Sequence, residues 1–108
     1  MTFVLDSSAV LALVLSEAGA EQVEGEMVDA HFSAVNLSEA IAKLIQYGTP
    51  PQLASQQIER LELTIHSFDP RHAEGAARLR LPTKQLGLSL GNRACLALGQ
   101  LLALPILT

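Results

Sequence analysis

At 108 residues the chain is long enough for one domain with a single core and too short for two. Nearly half of it (49%) is apolar, mostly Leu and Ala, which excludes disorder and favours helices on a small sheet over an aromatic-rich sandwich. A formal charge of −4 with no Lys/Arg run excludes a protein that holds nucleic acid by phosphate neutralisation alone, although bound cations can invert the field of an acidic site.

Residues 2–5 read as a buried strand, and 7–16 as a helix that is apolar nearly all round. Gly19 breaks the pattern, and 20–28 form an amphipathic helix with Glu21, Glu24 and Glu26 outward. A second strand at 31–35 leads to a helix over 37–47, with Leu37, Ile41, Leu44 and Ile45 at core spacing and Gly48 in the left-handed closing position. Thr49 then caps a helix from Pro50 to about residue 61. A third strand spans 63–68. Asp69-Pro70 turns the chain into a helix over 71–81, which Pro82 stops. Residues 83–90 are an exposed loop, 92–103 the last helix and 104–107 a fourth strand. Strands alternating with helices predict an α/β fold, a small parallel sheet with helices on both faces.

Ligands bind beyond the carboxyl ends of the strands in such a sheet. Asp6 lies there, closing Phe3-Val4-Leu5, and Glu39 and Asn92 lie at comparable junctions. Each has a bland explanation. Asp6 is a good N-cap; Asn36 and Glu39 fit a cap and its capping-box partner; Asn92 can cap the last helix after Gly91; Asp69 reads mainly as a cap. Convergence favours the other reading for the first three, because strands one, two and four should be close neighbours. Paired carboxylates need a cation or a proton to coexist. Mg²⁺ or Mn²⁺, hard and oxygen-seeking, suits Asp6, Glu39 and Asn92 as the catalytic, metal-holding set. Ser7, Asn36 and Ser89 can support them through hydroxyl and amide groups. Arg93 reads equally as a phosphate contact or as a surface helix residue.

Other chemistries lack their residues. Asp6-Ser7-Ser8 is neither GxGxxG nor a Walker A loop, and Ser7 and Ser8 lack nucleophile-elbow glycines. His31, His66 and His72 have no zinc-type spacing and read as ordinary surface or partly buried histidines. The single cysteine, Cys95, reads as a small buried hydrophobe. One thiol, no signal peptide and no apolar run of ~20 residues predict a reduced, cytoplasmic setting.

Val4-Leu5-Asp6-Ser7-Ser8-Ala9, Ser33-Ala34-Val35-Asn36-Leu37-Ser38-Glu39 and Leu88-Ser89-Leu90-Gly91-Asn92-Arg93-Ala94-Cys95-Leu96-Ala97-Leu98, in that order, resemble the PIN domain. Within it they are most similar to the VapC-type toxins of bacterial type II toxin–antitoxin modules. Leu104-Pro105-Ile106-Leu107-Thr108 resembles the strand before the family's last motif. The resemblance implies a PIN-like three-layer sandwich and Mg²⁺- or Mn²⁺-dependent endoribonuclease activity on RNA. It also implies a cognate antitoxin and a homodimer. Asp6 matches the first acidic ligand, Glu39 the second, and Asn92 the position where the family usually has Asp. The family pattern runs on past Thr108 to a further acidic residue and a strand. Residues 1–108 are therefore read as one PIN-like domain lacking that end, with reduced activity expected.

Two competing functions use the same residues. One is a PIN-like binding module whose acidic set is too depleted for catalysis, kept for antitoxin or RNA contact. The other is a receiver-like domain phosphorylated on Asp6, which lacks a neighbouring acidic pair and a strand-end Lys.

Overall fold

The computed structural model describes residues 2–15 and 29–108, so the predicted helix at 20–28 and the Gly19 break lie outside the described residues. In chain order the elements are β1 (Phe3–Leu5), α1 (Ser7–Leu15), β2 (Ala30–Ser33), α2 (Ala34–Gln46), α3 (Pro51–Glu59), β3 (Thr64–His66), α4 (Pro70–Arg78), a 3₁₀ turn (Lys84–Leu86), α5 (Leu90–Leu102) and β4 (Ile106–Leu107). The strands form one parallel sheet in the order β3-β2-β1-β4. The α/β expectation holds, with β1, β2 and β4 adjacent and β3 at an edge.

Alternation along β1 sets the two cores. Leu5 and, partly, Phe3 face one side, where Phe32, Ala9, Val10, Ala40, Leu44, Ala54 and Ile58 pack from β2, α1, α2 and α3. Val4 faces the other side, against Cys95 and Leu98 of α5 and Ile106 of β4. Phe32 and Leu44 are fully buried, each contributing about 1.5–3 kcal/mol of apolar burial. α4 lies outside the sheet proper, packed on α5.

Where the observed ends differ from the predicted ones, the strand ends decide. The β-branched Val35 made 31–35 look extended. In fact β2 stops at Ser33, whose hydroxyl accepts from Val35 N at 3.2 Å and caps α2 directly. Asn36 is therefore not the N-cap, and it sits 1% exposed inside the first turn. The same correction applies to Asn92. Ser89 is the N-cap of α5, and Asn92 is the third helical residue, answering it in a reciprocal capping box. Thr49 caps nothing: its N–H closes α2 on Leu44 O at 2.9 Å, and Pro50 takes the cap position of α3. Asp6 and Asp69 do cap, accepting from Ala9 N at 2.9 Å and His72 N at 3.1 Å. Gly48 has a φ of 103°, as its closing role requires.

Candidate metal centre

Because all four strands are parallel, their carboxyl ends lie along one rim, and Asp6, Glu39 and Asn92 all belong to junctions there. Asp6 is half-buried. Its Oδ1 accepts from Ala9 N and, at 2.7 Å, from Ser8 Oγ. Capping thus occupies one carboxylate oxygen and leaves the other to the rim.

Glu39 is oriented in the same manner from two sides. Its Oε1 accepts from Ser7 Oγ at 2.7 Å and from Asn36 Nδ2 at 3.0 Å. The Ser7 proton favours this charged acceptor over the more distant Asn36 O at 3.2 Å. The second N–H of Asn36 reaches Gly91 O at 3.0 Å, joining α2 to α5 across 55 residues of sequence. Both acceptors must face NH₂, which sets the amide's orientation and leaves Asn36 Oδ1 buried without a partner.

Gly91 matters for what it lacks. A Cβ there would overlap the Glu39 carboxylate. Gly91→Ala is favourable for helix propensity by roughly 0.5–1 kcal/mol. The variant is therefore expected to melt within a few degrees of the parent while losing about 10- to 100-fold in Mn²⁺ affinity, as a displaced carboxylate should. Calorimetric Mn²⁺ titration checks this; unchanged affinity would refute the placement of Glu39.

Asn92 is exposed, and it lines a cavity with Asp6, Leu88, Cys95 and Thr108. Its Oδ1 accepts from Ser89 N at 3.1 Å and Ser89 Oγ at 2.9 Å. A backbone N–H demands an acceptor, so the oxygen is committed to the cap and the cavity receives the NH₂. Ser89 acts here as the cap.

Cys95 is buried beneath the start of α5, its thiol on Leu5 O at 3.6 Å. Its thiol is pushed up to about 12, first by burial, then by the charges of Asp6 and Glu39. Asp6 lines the cavity above this thiol together with Asn92, whereas Glu39 lines a neighbouring one with Phe68, Ser89 and Gly91. Arg93 brings no countercharge: Nη1 donates to Ala76 O at 3.0 Å, at the carboxyl end of α4. Among the described residues no three His, Cys, Asp or Glu side chains gather closely enough to hold a metal ion. The metal donors left are two carboxylates, each with one oxygen already held by hydroxyl and N–H donors; the Asn92 oxygen is spent on Ser89 and adds none. That set fits a hard divalent cation that keeps several waters and does not fit zinc.

The histidines are closer together than their spacing suggested. Register places Ser33 opposite His66 and His31 opposite Thr64, so the two histidines are diagonal neighbours. His31 Nδ1 lies 2.8 Å from His66 Nε2, and the His72 ring stacks 6.4 Å from His66. Burial first, then the charges of His31 and His72, holds His66 below its ordinary value of 6.5. Below about pH 6.5 the unfolded chain therefore takes up a proton that the folded one resists, and stability falls. Thermal melts from about pH 7 to pH 5.5 are expected to fall less for His66→Gln than for the parent; equal slopes would contradict this.

No helix among the described residues is long and apolar enough to cross a membrane. A family profile for the PIN domain matches residues 3–108. No curated protein matches the sequence. A chain in a toxin–antitoxin complex from Klebsiella pneumoniae superposes with a TM-score of 0.78 at 21% identity, covering 98% of this chain and 84% of that one. A chain in the VapBC2 structure from Rickettsia felis, bound to a DNA fragment from their promoter, gives 0.72 at 16% identity, covering 100% and 86%. At these identities the likeness is one of fold.

Proposed function

The chain belongs to the PIN domain family, and from that premise we propose that it is a divalent-metal-dependent endoribonuclease, the VapC-type toxin of a type II toxin–antitoxin pair. The observation that carries this reading is the preorganisation of Asp6 and Glu39 at the strand-end junctions: each has one carboxylate oxygen tied within the protein by hydroxyl and amide donors.

Asp6 and Glu39 would hold Mg²⁺ or Mn²⁺, with Asn92 beside them. Such an ion, when bound, activates water and stabilises charge on the non-bridging phosphate oxygens. The chain's own contribution is preorganisation. The α1 amino end sets the Asp6 carboxylate, while Ser7 and Asn36 set that of Glu39 before any ligand arrives. The Asn92 NH₂ can donate to a phosphate oxygen. An antitoxin, a homodimer and a cytoplasmic setting belong to the same proposal. The antitoxin is supported by the toxin–antitoxin complexes in which the two structural neighbours were solved.

A binding module without catalysis is the second reading, and the capped oxygen of Asn92 favours it. Incubation of RNA with the purified chain and Mg²⁺ or Mn²⁺, against an EDTA control, separates the two. Metal-dependent cleavage is the expected result; intact RNA together with no Mn²⁺ binding would leave the binding module.

A further inference from the structure

The chain has four aromatic residues, three Phe and one Tyr. Phe32 is fully buried, and Phe3 packs on the same core. Tyr47 is exposed, but it closes α2, whose 13 residues carry it about 20 Å from the rim where that helix starts. Phe68 alone is left at the rim. It lies two residues beyond the carboxyl end of β3, and the parallel pairing of His66 with Ser33 brings that end level with the start of α2.

Phe68 is held from behind. Asp69 caps α4 by accepting from His72 N at 3.1 Å, and the His72 ring meets the Phe68 ring edge-on with centroids 6.4 Å apart. The half-buried Phe68 also borders an open cavity of about 590 Å³. Ala34 and Val35 from the first turn of α2 and Leu90 from the start of α5 share its lining, which is mostly apolar. Ser38 and Glu39 add polar groups. An apolar hollow of this size with a few polar groups suits one planar organic group. Its position narrows the choice. Glu39 belongs both to this cavity and to the carboxylate pair assigned to the metal, so a nucleotide with its phosphate at that pair has a neighbouring base within reach of Phe68.

We propose that this cavity holds one unpaired base of a single-stranded RNA, stacked on Phe68 beside the phosphate at the Asp6–Glu39 rim. The proposal rests on the ribonuclease reading for the identity of the ligand. A chain of net charge −4 gains little from phosphates, and stacking supplies affinity that does not depend on charge. Bases in a duplex keep their faces covered, so the cavity selects single strands. Every base has a π-face, so Phe68 sets position more than sequence.

The chain has no Trp, so Phe68→Trp places a single fluorophore at the cavity. In EDTA, which prevents metal-dependent cleavage, a short single-stranded RNA is expected to quench its emission saturably. The same RNA as a duplex, or a ribose-phosphate oligomer of equal length without bases, should quench far less. In anisotropy with labelled RNA, Phe68→Leu keeps an apolar side chain but loses the ring, and it is expected to bind about tenfold more weakly than the parent. Its dependence on salt should be unchanged, because no phosphate contact is lost. Phe68→Trp should bind at least as tightly as the parent, and Tyr47→Leu, at the far end of α2, should bind like it. Circular dichroism and melting check each fold, and if Phe68→Leu unfolds, the quenching of Phe68→Trp decides. Absence of quenching, equal quenching by the base-free oligomer, or parental binding by a folded Phe68→Leu overturns the proposal. Quenching by an apolar peptide but not by RNA also overturns it, in favour of a protein partner. Quenching by RNA that neither the parent nor Asn92→Asp cleaves leaves the base pocket standing and sinks the ribonuclease reading. Cleavage by Phe68→Leu with the parent's KM, and no quenching of Phe68→Trp, does the reverse.

Discussion

Asp6→Asn is expected to leave the melting temperature nearly unchanged while reducing RNA cleavage by more than about a hundredfold. The two effects separate because Asp6 has two duties. As the cap of α1 it needs an acceptor oxygen for Ala9 N, and Asn supplies one as well as Asp. As a cation ligand it needs charge, which the amide lacks. Changing groups that merely support a metal ligand costs 10- to 100-fold, so loss of the ligand itself should cost more. Asp6→Ala removes both duties. It should lose similar activity and, in addition, about 1 kcal/mol of cap stability, or roughly 4–8 °C of melting temperature in a domain of this size. Full activity in Asp6→Asn, alongside a destabilised Asp6→Ala, would reduce this residue to a helix cap.

Asn92→Asp is expected to act in the opposite direction, raising Mn²⁺ affinity by about tenfold or more and raising cleavage with it. The capping box can survive the change. One carboxylate oxygen takes over the bonds to Ser89 N and Ser89 Oγ, and the second replaces the NH₂ now presented to the cavity shared with Asp6. A donor that repels a cation becomes a charged acceptor. The added charge also lies in the first turn of α5, where the helix dipole favours it by about 0.3–1 kcal/mol. Without metal it crowds Asp6 and Glu39, so the apo variant should gain little stability at low salt and more when Mn²⁺ is added. Parallel melts with and without Mn²⁺, with calorimetric titration, measure both parts. No gain in affinity would show that residue 92 lies too far from the cation to serve it.

The sensitivity of this rim to small changes has a structural origin. Glu39 is held by Ser7 from α1 and Asn36 from its own helix, and it lies against the bare backbone of Gly91. Asn36 is in turn tied to Gly91 O. Three helices therefore fix one carboxylate, and a change in any of them shifts it without touching the reacting groups.

What the sequence determined alone was local chemistry in series. The apolar strand ending at Asp6, the Asp69-Pro70 start of α4 and the Gly48 close of α2 each depend on contacts a few residues apart, and these were legible. So was the alternation of strands and helices that requires a parallel sheet. Tertiary structure decided the rest. Ser33 and Ser89 became caps in place of Asn36 and Asn92 because the choice among adjacent polar residues depends on where the strand before them stops pairing. Asn36 was freed to bridge two helices, and Asn92 to spend its only acceptor on a serine. His31 and His66 met through strand register, which no spacing in one dimension encodes. Bonds between groups 30 to 55 residues apart depend on how layers stack, and stacking is a property of the whole core.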